Sequence, residues 1–289
     1  MSTNYCIKDP VSAVTHFPLS SELILTQFKK IGKYFVFVIQ LLYMKLEGEM
    51  KIITLDSVDS TNIYAKNNLD VLEDKTIVHA LKQTLGRGRF DRKWVDLGDG
   101  NVFLSFVLKP SNSFNEIYSN LTQYLSVVLC ELLEEYGLQT QIKWPNDVLI
   151  NGKKIAGILS ETVMQGSTFK GLVLGIGVNL NAKQDDVDAI PDKVVTSLNL
   201  ELNKNIDMYE FIQQLSDKFF ANYDEFLTNG FEFIKSNYIS RASFLDTEIC
   251  VQVLNEVKKG YAKSINDSGE LVLENNGNEF VLTIGDILC

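Results

Sequence analysis

Between residues 141 and 180 the chain reads QIKWPNDVLINGKKIAGILSETVMQGSTFKGLVLGIGVNL. Apolar and β-branched residues are broken here only by short turn signals, so the stretch predicts three or more strands folding back on one another. Asn151-Gly152 is the strongest of these signals, because both central positions of a type I′ hairpin turn require positive φ. Gln165-Gly166 marks the next reversal. A chain that commits so long a stretch to successive hairpins builds an antiparallel or mixed sheet, and its other elements must cover that sheet.

The flanking sequence supplies them. MKIITLDSV (50–58) and KTIVHALKQT (75–84) read as strands, and NVFLSFVLKP (101–110) as a strongly apolar strand ended by Pro110. DSTNIYAKNNL (59–69) suits a short helix capped by Ser60 or Thr61. In 113–137 the residues Ile117, Leu121, Tyr124, Leu125, Val128 and Leu132 fall at three- and four-residue spacing, and Gly137 closes that helix. Helical patterns follow at 207–228 and 230–239. Near Thr247 the composition changes, and the remainder alternates and turns like a small β-barrel or sandwich. The expected class is α+β: a mixed or antiparallel sheet flanked by helices over 50–245, then a small SH3-like all-β domain over 246–289.

Residues 1–49 are read as an N-terminal extension. The apolar run YFVFVIQLLYM (34–44) is shorter than the roughly 20 residues that span a bilayer. It lies too deep in the chain for an ordinary signal peptide. Met50 directly precedes the first strand and is a candidate start; a docked helix or membrane-surface segment is the rival reading. Cys6, Cys130, Cys250 and Cys289 are scattered and form no C-x-x-C pair, which suits free thiols in a reducing cytoplasm. With only His16 and His79, a histidine-rich metal site or a Ser-His-Asp triad is nearly excluded by count.

The formal net charge is −10, which argues against a general nucleic-acid or anionic-membrane surface. Against that background QTLGRGRFDRKW (83–94) stands out, with Arg87, Arg89 and Arg92 among glycines and ending on Trp94. A guanidinium is a fixed fork of donors matched to carboxylate or phosphate oxygens. Glycine lets the backbone approach such oxygens closely. The loop therefore suits closure over an anionic ligand, with the indole as an apolar seal. It is not a P-loop, since G-x-x-x-x-G-K-[ST] is absent. KWPND (143–147) groups Lys143, Asn146 and Asp147 around a stiffening proline. Lys154 sits at the start of an apolar strand, and Gly157 within it suggests a close approach by a ligand or another backbone. GIGVNL (175–180) repeats that pattern and adds Asn179. Taken singly, the loop is more often a solvated basic hairpin and KWPND a strand end with a turn, while Lys154 also reads as a solvent-facing strand lysine and GIGVNL as a tightly packed inner strand.

Together, DSTN (59–62), QTLGRGRFDRKW, KWPNDVLINGKKIAGIL (143–159) and GIGVNL, in this order and spacing, resemble the biotin protein ligases. The resemblance covers about 51–289, less sharply over the C-terminal KGYAKSINDSGELVL (259–273). It implies an ATP-dependent, AMP-forming enzyme with Mg²⁺ as cofactor. Such an enzyme converts biotin to biotinyl-5′-AMP and transfers it to a lysine of the carrier domain of acetyl-CoA carboxylase or a related carboxylase. By matching positions, Ser60, Thr61, Asn62 and Gln83 would meet the biotin head group, with Gly86, Arg87, Gly88, Arg89, Lys154 and Gly157 completing the biotin side. Arg89, Arg92, Trp94, Lys143, Asn146, Asp147 and Asn179 would serve ATP. Asp147 would hold Mg²⁺ or orient a lysine. Lys154 and Arg89 are the expected catalytic residues, Lys154 bridging the biotin carboxylate and the α-phosphate.

Phe90 and Asp91 depart from the basic or small residues common in the family loop, and Asp91 is expected to loosen phosphate affinity. The first 49 residues are too few for a convincing winged helix-turn-helix. The expectation is therefore a cytoplasmic ligase without repressor function, binding neither nucleic acid nor membrane, and capable of a weak or ligand-dependent homodimer. The competing classes are a lipoate or octanoate ligase of the related fold, a biotin-responsive transcriptional regulator, and a non-catalytic biotin-binding module.

Overall fold

Asn151 and Gly152 take φ values of +52° and +74° and close a tight hairpin between strands β5 (Asp147–Ile150) and β6 (Lys153–Gln165). Gly166, at φ +60°, turns the chain from β6 into β7 (Thr168–Val178). With β4 (Thr140–Lys143), the 140–180 region thus supplies four strands of a seven-stranded sheet. The others are β1 (Ile52–Leu55), β2 (Ile77–Ala80) and β3 (Val102–Leu108), and the spatial order is β1-β2-β3-β7-β6-β5-β4. β1 and β2 pair in parallel and every other neighbour antiparallel, so the sheet is mixed. The computed structural model describes residues 51–288 apart from 91, 99, 112 and 191–193. The expectations for residues 1–49, Met50, Asp91 and Cys289 lie outside the described residues.

β3 is buried along its whole length, and its two faces meet different helices. Val107 packs with Ala65 and Leu69 of helix α1 (Thr61–Asn67) and the residues just after it. Phe106, one residue back on the opposite face, stacks on Phe219 at 4.4 Å between ring centroids. Phe219 belongs to α5 (Met208–Ala221), one of a series that also includes α2 (Leu121–Glu135), α3 (Gln184–Asp188), α4 (Leu198–Leu202), α6 (Tyr223–Asn229) and α7 (Phe231–Ile239). Burying such rings stabilises by roughly 1.5–3 kcal/mol each. A strand buried on both faces therefore sits at the centre of the fold, which accounts for the apolar run at 101–110.

Two helices differ from the spacing reading. The helix expected over 113–137 begins as a 3-10 turn (Glu116–Asn120), because Asn120 turns its amide onto Gln123 and the Ser268 carbonyl. The helix expected over 207–228 is two, since Asn222 leaves the helical region at φ −120°.

The C-terminal residues form a second sheet, wholly antiparallel, of β8 (Glu248–Val253), β9 (Glu256–Ile265), β10 (Leu271–Asn275), β11 (Asn278–Leu282) and β12 (Asp286–Ile287). Its order is β11-β10-β9-β8-β12. The Ser268-Gly269 turn between β9 and β10 plugs onto α2: Gln123 donates to the Gly269 carbonyl at 2.7 Å, and the Trp144 indole donates to the same oxygen at 3.4 Å. Residues 51–289 form one compact unit, so this sheet is fixed against the first.

Candidate functional site

A cleft of about 550 Å³ opens over β6 and β7, and residues far apart in sequence converge on it. At one end Ser60 and Thr61 begin α1. Ser60 stands at the cap position, but its side chain makes no cap bond. Gln83 does that work: its Oε1 accepts from the Thr61 backbone N–H at 2.8 Å and from the Thr61 hydroxyl at 3.2 Å. A free helix N–H needs such an acceptor, so this contact joins the 83–94 segment to α1. Asn62 is buried. It donates to the Leu159 carbonyl and to Glu161, and accepts from Ser105 at 2.6 Å. Gly175 lies against it, and a Cβ there would stand 2.1 Å from the Asn62 oxygen.

The glycine-arginine segment is a small hairpin, which we call the flap. Trp94 N–H donates to the Gly86 carbonyl at 2.9 Å, Gly88 N–H to the Arg92 carbonyl at 2.7 Å, and Arg87 pairs with Lys93. Phe90 takes the left-handed conformation near the tip, at φ +50°. Gly86 is needed inside this hairpin, since a Cβ would stand 2.5 Å from the Trp94 carbonyl. It is the one expected site residue that does not line the cleft.

Trp94 lies flat over the strands. A Cβ on Gly157 would come 2.8 Å from its ring, and one on Gly177 2.5 Å. The close approach expected at Gly157 is therefore made by the flap's own indole. Lys154 Nζ stands 5.4 Å from the indole centroid and donates to Asp147 Oδ1 at 2.6 Å. Lys143 and Asp147 are opposite each other in the β4–β5 pairing, on either side of the cis Trp144-Pro145 bond. Asn146 donates to the Ile158 carbonyl at 2.8 Å, and Asn179 to the Thr196 carbonyl at 3.0 Å.

All three flap arginines are paired with carboxylates. Arg87 meets Glu161 at 3.0 Å, Arg89 meets Asp286 at 2.9 Å, and Arg92 meets the other oxygen of Asp286 at 2.9 Å. Arg89 also donates to the Gly285 carbonyl at 2.8 Å. Burial pulls the Arg89 guanidinium below its ordinary pKa, and the charges of Asp286 and Asp147 oppose that. Among the described residues no cluster of three or more His, Cys, Asp or Glu could hold a metal ion.

The expected site residues, Gly86 excepted, thus surround one cleft. Three partners were absent from the sequence reading. Ser105 is a lone hydroxyl in an apolar strand, which was a usable signal. Glu161 follows the KKIAGIL strand without any mark. Asp286 lies in a terminal GDI with nothing to announce it.

The fold and cleft define an α+β domain that gathers a neutral polar pocket, a cationic flap and a lysine–aspartate pair over one sheet. The description of the biotin/lipoate A/B protein ligase family matches residues 54–179. A biotin–[acetyl-CoA-carboxylase] ligase of Paracoccus denitrificans is 31% identical over 81% of this chain and 98% of its own length. The bifunctional ligase/repressor BirA of Bacillus subtilis is 37% identical, over 70% of this chain and 62% of its own. The chain thus spans about three fifths of that relative. The biotin protein ligase of Aquifex aeolicus, solved with biotin and ATP, superposes with a TM-score of 0.68 at 25% identity, covering 83% of this chain and 98% of that one. The chain belongs to the biotin protein ligases of the biotin/lipoate A/B protein ligase family.

Proposed function

We propose that this protein activates biotin with ATP and transfers it to a carrier-domain lysine. The observation that carries the reading is the convergence of Lys154, Asp147 and the flap arginines on one cleft whose far end holds neutral hydroxyl and amide groups. A carboxylate and a triphosphate repel each other, so their reaction needs fixed cations between them. In the first step a biotin carboxylate oxygen attacks the α-phosphorus. The bond from that phosphorus to the bridging oxygen breaks, and pyrophosphate leaves. In the second step the acceptor lysine's amine attacks the acyl carbon of the mixed anhydride, AMP leaves as the anion, the amine gives up a proton and an amide forms.

Lys154 is assigned to neutralise both reacting anions, with Asp147 orienting its ammonium. Thr61, Gln83 and Ser60 are assigned to the ureido ring, Arg89 and Arg92 to phosphate oxygens, and Trp94 to the wall beside the adenine. Closure of the flap excludes water, which would otherwise hydrolyse the anhydride. Asp147 offers one carboxylate, and one carboxylate with substrate phosphates suits Mg²⁺. Mg²⁺ bound there would offset phosphate charge. The reading assigns 50–245 to the biotin- and ATP-binding domain and 246–289 to a β-barrel domain bordering the nucleotide end, in a cytoplasmic protein that serves acetyl-CoA carboxylase or a related carboxylase. A weak or ligand-dependent homodimer fits the same reading.

Biotin-dependent exchange of labelled pyrophosphate into ATP tests it. The wild-type protein should catalyse exchange, and Lys154→Ala should lose at least about a hundredfold. No exchange by the wild type overturns the reading. Near-normal exchange by Lys154→Ala overturns the assignment of that residue.

A further inference from the structure

Glu161 has no part in the reaction described above, yet it joins the elements that frame the biotin end of the cleft. It sits on β6 with its side chain 14% exposed. Its Oε1 accepts from Lys66 Nζ at 2.7 Å and from Arg87 Nη1 at 3.0 Å. Its Oε2 accepts from Asn62 Nδ2 at 3.0 Å. Lys66 and Asn62 belong to α1, whereas Arg87 belongs to the flap. Burial pushes the Glu161 carboxyl upward, but the bonds from Lys66 and Asn62 and the charges of Lys66 and Arg87 outweigh it and hold the group below the usual range. It is therefore an anion at working pH.

The three contacts are unequal. Asn62 is locked by Ser105 and by the Leu159 carbonyl, so its bond to Glu161 is part of the fixed floor. The Arg87 side chain is 39% exposed, and pairs of that kind are weak enough to break and remake. A fixed carboxylate facing a releasable arginine has the form of a latch. We propose that Glu161 is a positioning residue on which Arg87 seats the flap over the biotin end of the cleft, setting how long the activated intermediate is retained. This rests on the function proposed above.

Retention is measured directly. Biotin and Mg-ATP are incubated with enzyme and pyrophosphatase to form labelled adenylate, excess unlabelled biotin and ATP are added, and release of label is timed. Glu161→Gln should release adenylate roughly fivefold faster, an effect larger than its slowing of single-turnover adenylate formation. Arg87→Ala should match it, and the double variant should be no faster than either, because both remove one contact. A lower folded fraction lowers the amount of adenylate formed but not the rate at which folded enzyme releases it, so release is timed on enzyme whose folded fraction is checked by circular dichroism. Arg87→Ala also leaves the Glu161, Lys66 and Asn62 contacts in place should Glu161→Gln fold poorly. Unchanged release in Arg87→Ala, or multiplied effects in the double variant, overturns the latch while leaving the enzyme a ligase. Absence of adenylate in the wild type overturns the underlying function and the latch with it.

Discussion

Alanine at Gly177 should remove activity while sparing the fold. Gly177 lies in β7, paired on one side with Phe103 of β3 and on the other with Gly157 of β6. Its Cβ would stand 2.5 Å from Cε2, 2.7 Å from Nε1 and 2.9 Å from Cζ2 of Trp94. Carbon contacts are comfortable at about 3.5–4.0 Å, so strand and ring must separate by about 1 Å. β7 is held on both edges and cannot move. Trp94 is half-buried on a hairpin and can. Overpacking a rigid core costs about 1–3 kcal/mol, and displacing the flap is the cheaper response, so the stability loss should stay near about 1 kcal/mol. The displaced indole leaves its place beside Lys154, and a misplacement of about 1 Å at the proposed reacting site would cost up to about a hundredfold. Biotin-dependent pyrophosphate exchange should therefore fall about 10- to 100-fold in kcat/KM, with only a few degrees off Tm. Placing Gly177→Ala in a Trp94→Ala background should cost no further stability, because the clash has gone. Exchange within twofold of wild type would refute this, as would a Gly177→Ala penalty that survives removal of the indole.

Gly175→Ala should behave oppositely. Its Cβ would meet the buried Asn62 amide at 2.1 Å, and Asn62 is held by Ser105, Leu159 and Glu161, so a loss of about 2–4 kcal/mol in a urea melt is expected; a loss under about 0.5 kcal/mol would show that Asn62 is free to move. His79 is fully buried, and burial lowers its pKa to about 4 from 6.5. The unfolded chain then binds the proton first as pH falls, so stability present above pH 6.5 drains away between pH 6.5 and 4. About 2–3 kcal/mol of that should be gone by pH 4.5, and His79→Leu should flatten this slope; parallel pH profiles for the two proteins would contradict it. Arg241 donates two bonds to Glu134 at 2.7 and 2.6 Å, tying the chain after α7 to α2, so Arg241→Ala should cost about 1–3 kcal/mol in the same melts, and a loss within error would place its bonds among the weak surface pairs.

What could be read along the chain was what local chemistry decides. The Asn151-Gly152 and Gly166 turns need positive φ, so the hairpins at 140–180 follow from neighbouring residues alone. The expectation of a mixed or antiparallel sheet and of a terminal β-sheet rested on the same local signals, whereas the parallel β1–β2 pairing that makes the sheet mixed is a contact between separate segments. The gathering of Ser60, Gln83, Arg89, Asp147 and Lys154 came through family resemblance, since no spacing rule places residues 60 and 154 together. Other features depend on distant contacts. Gly157 and Gly177 signalled a close approach, but only the fold shows that Trp94 makes it. Nothing near Asp286 foretells that it meets Arg89, because the partners are 197 residues apart in sequence and are joined only by the docking of one sheet on another. The break at Asn120 has the same origin, its amide being drawn to a carbonyl on the later sheet.

These pairings change what the positive flap in an acidic protein can do. A phosphate arriving at an unpaired arginine gains the whole attraction and releases counterions, and such binding weakens steeply with salt. Here Arg89 and Arg92 already face Asp286, so under the proposed assignment a phosphate would replace one anion by another. Only the difference between the two partnerships is gained, and added salt screens both. Arg92 is 51% exposed, and its pair should contribute little. Arg89, at 18% exposed, is the more enclosed of the two and also donates to the Gly285 carbonyl, so the exchange would centre on it. The KM for ATP in pyrophosphate exchange should thus rise less than about threefold between 50 and 300 mM KCl at fixed free Mg²⁺. Asp286→Asn removes the competing charge, and its KM should depend on salt more steeply than that of the wild type. A steep dependence in the wild type that Asp286→Asn leaves unaltered would mean that phosphate binds without displacing Asp286.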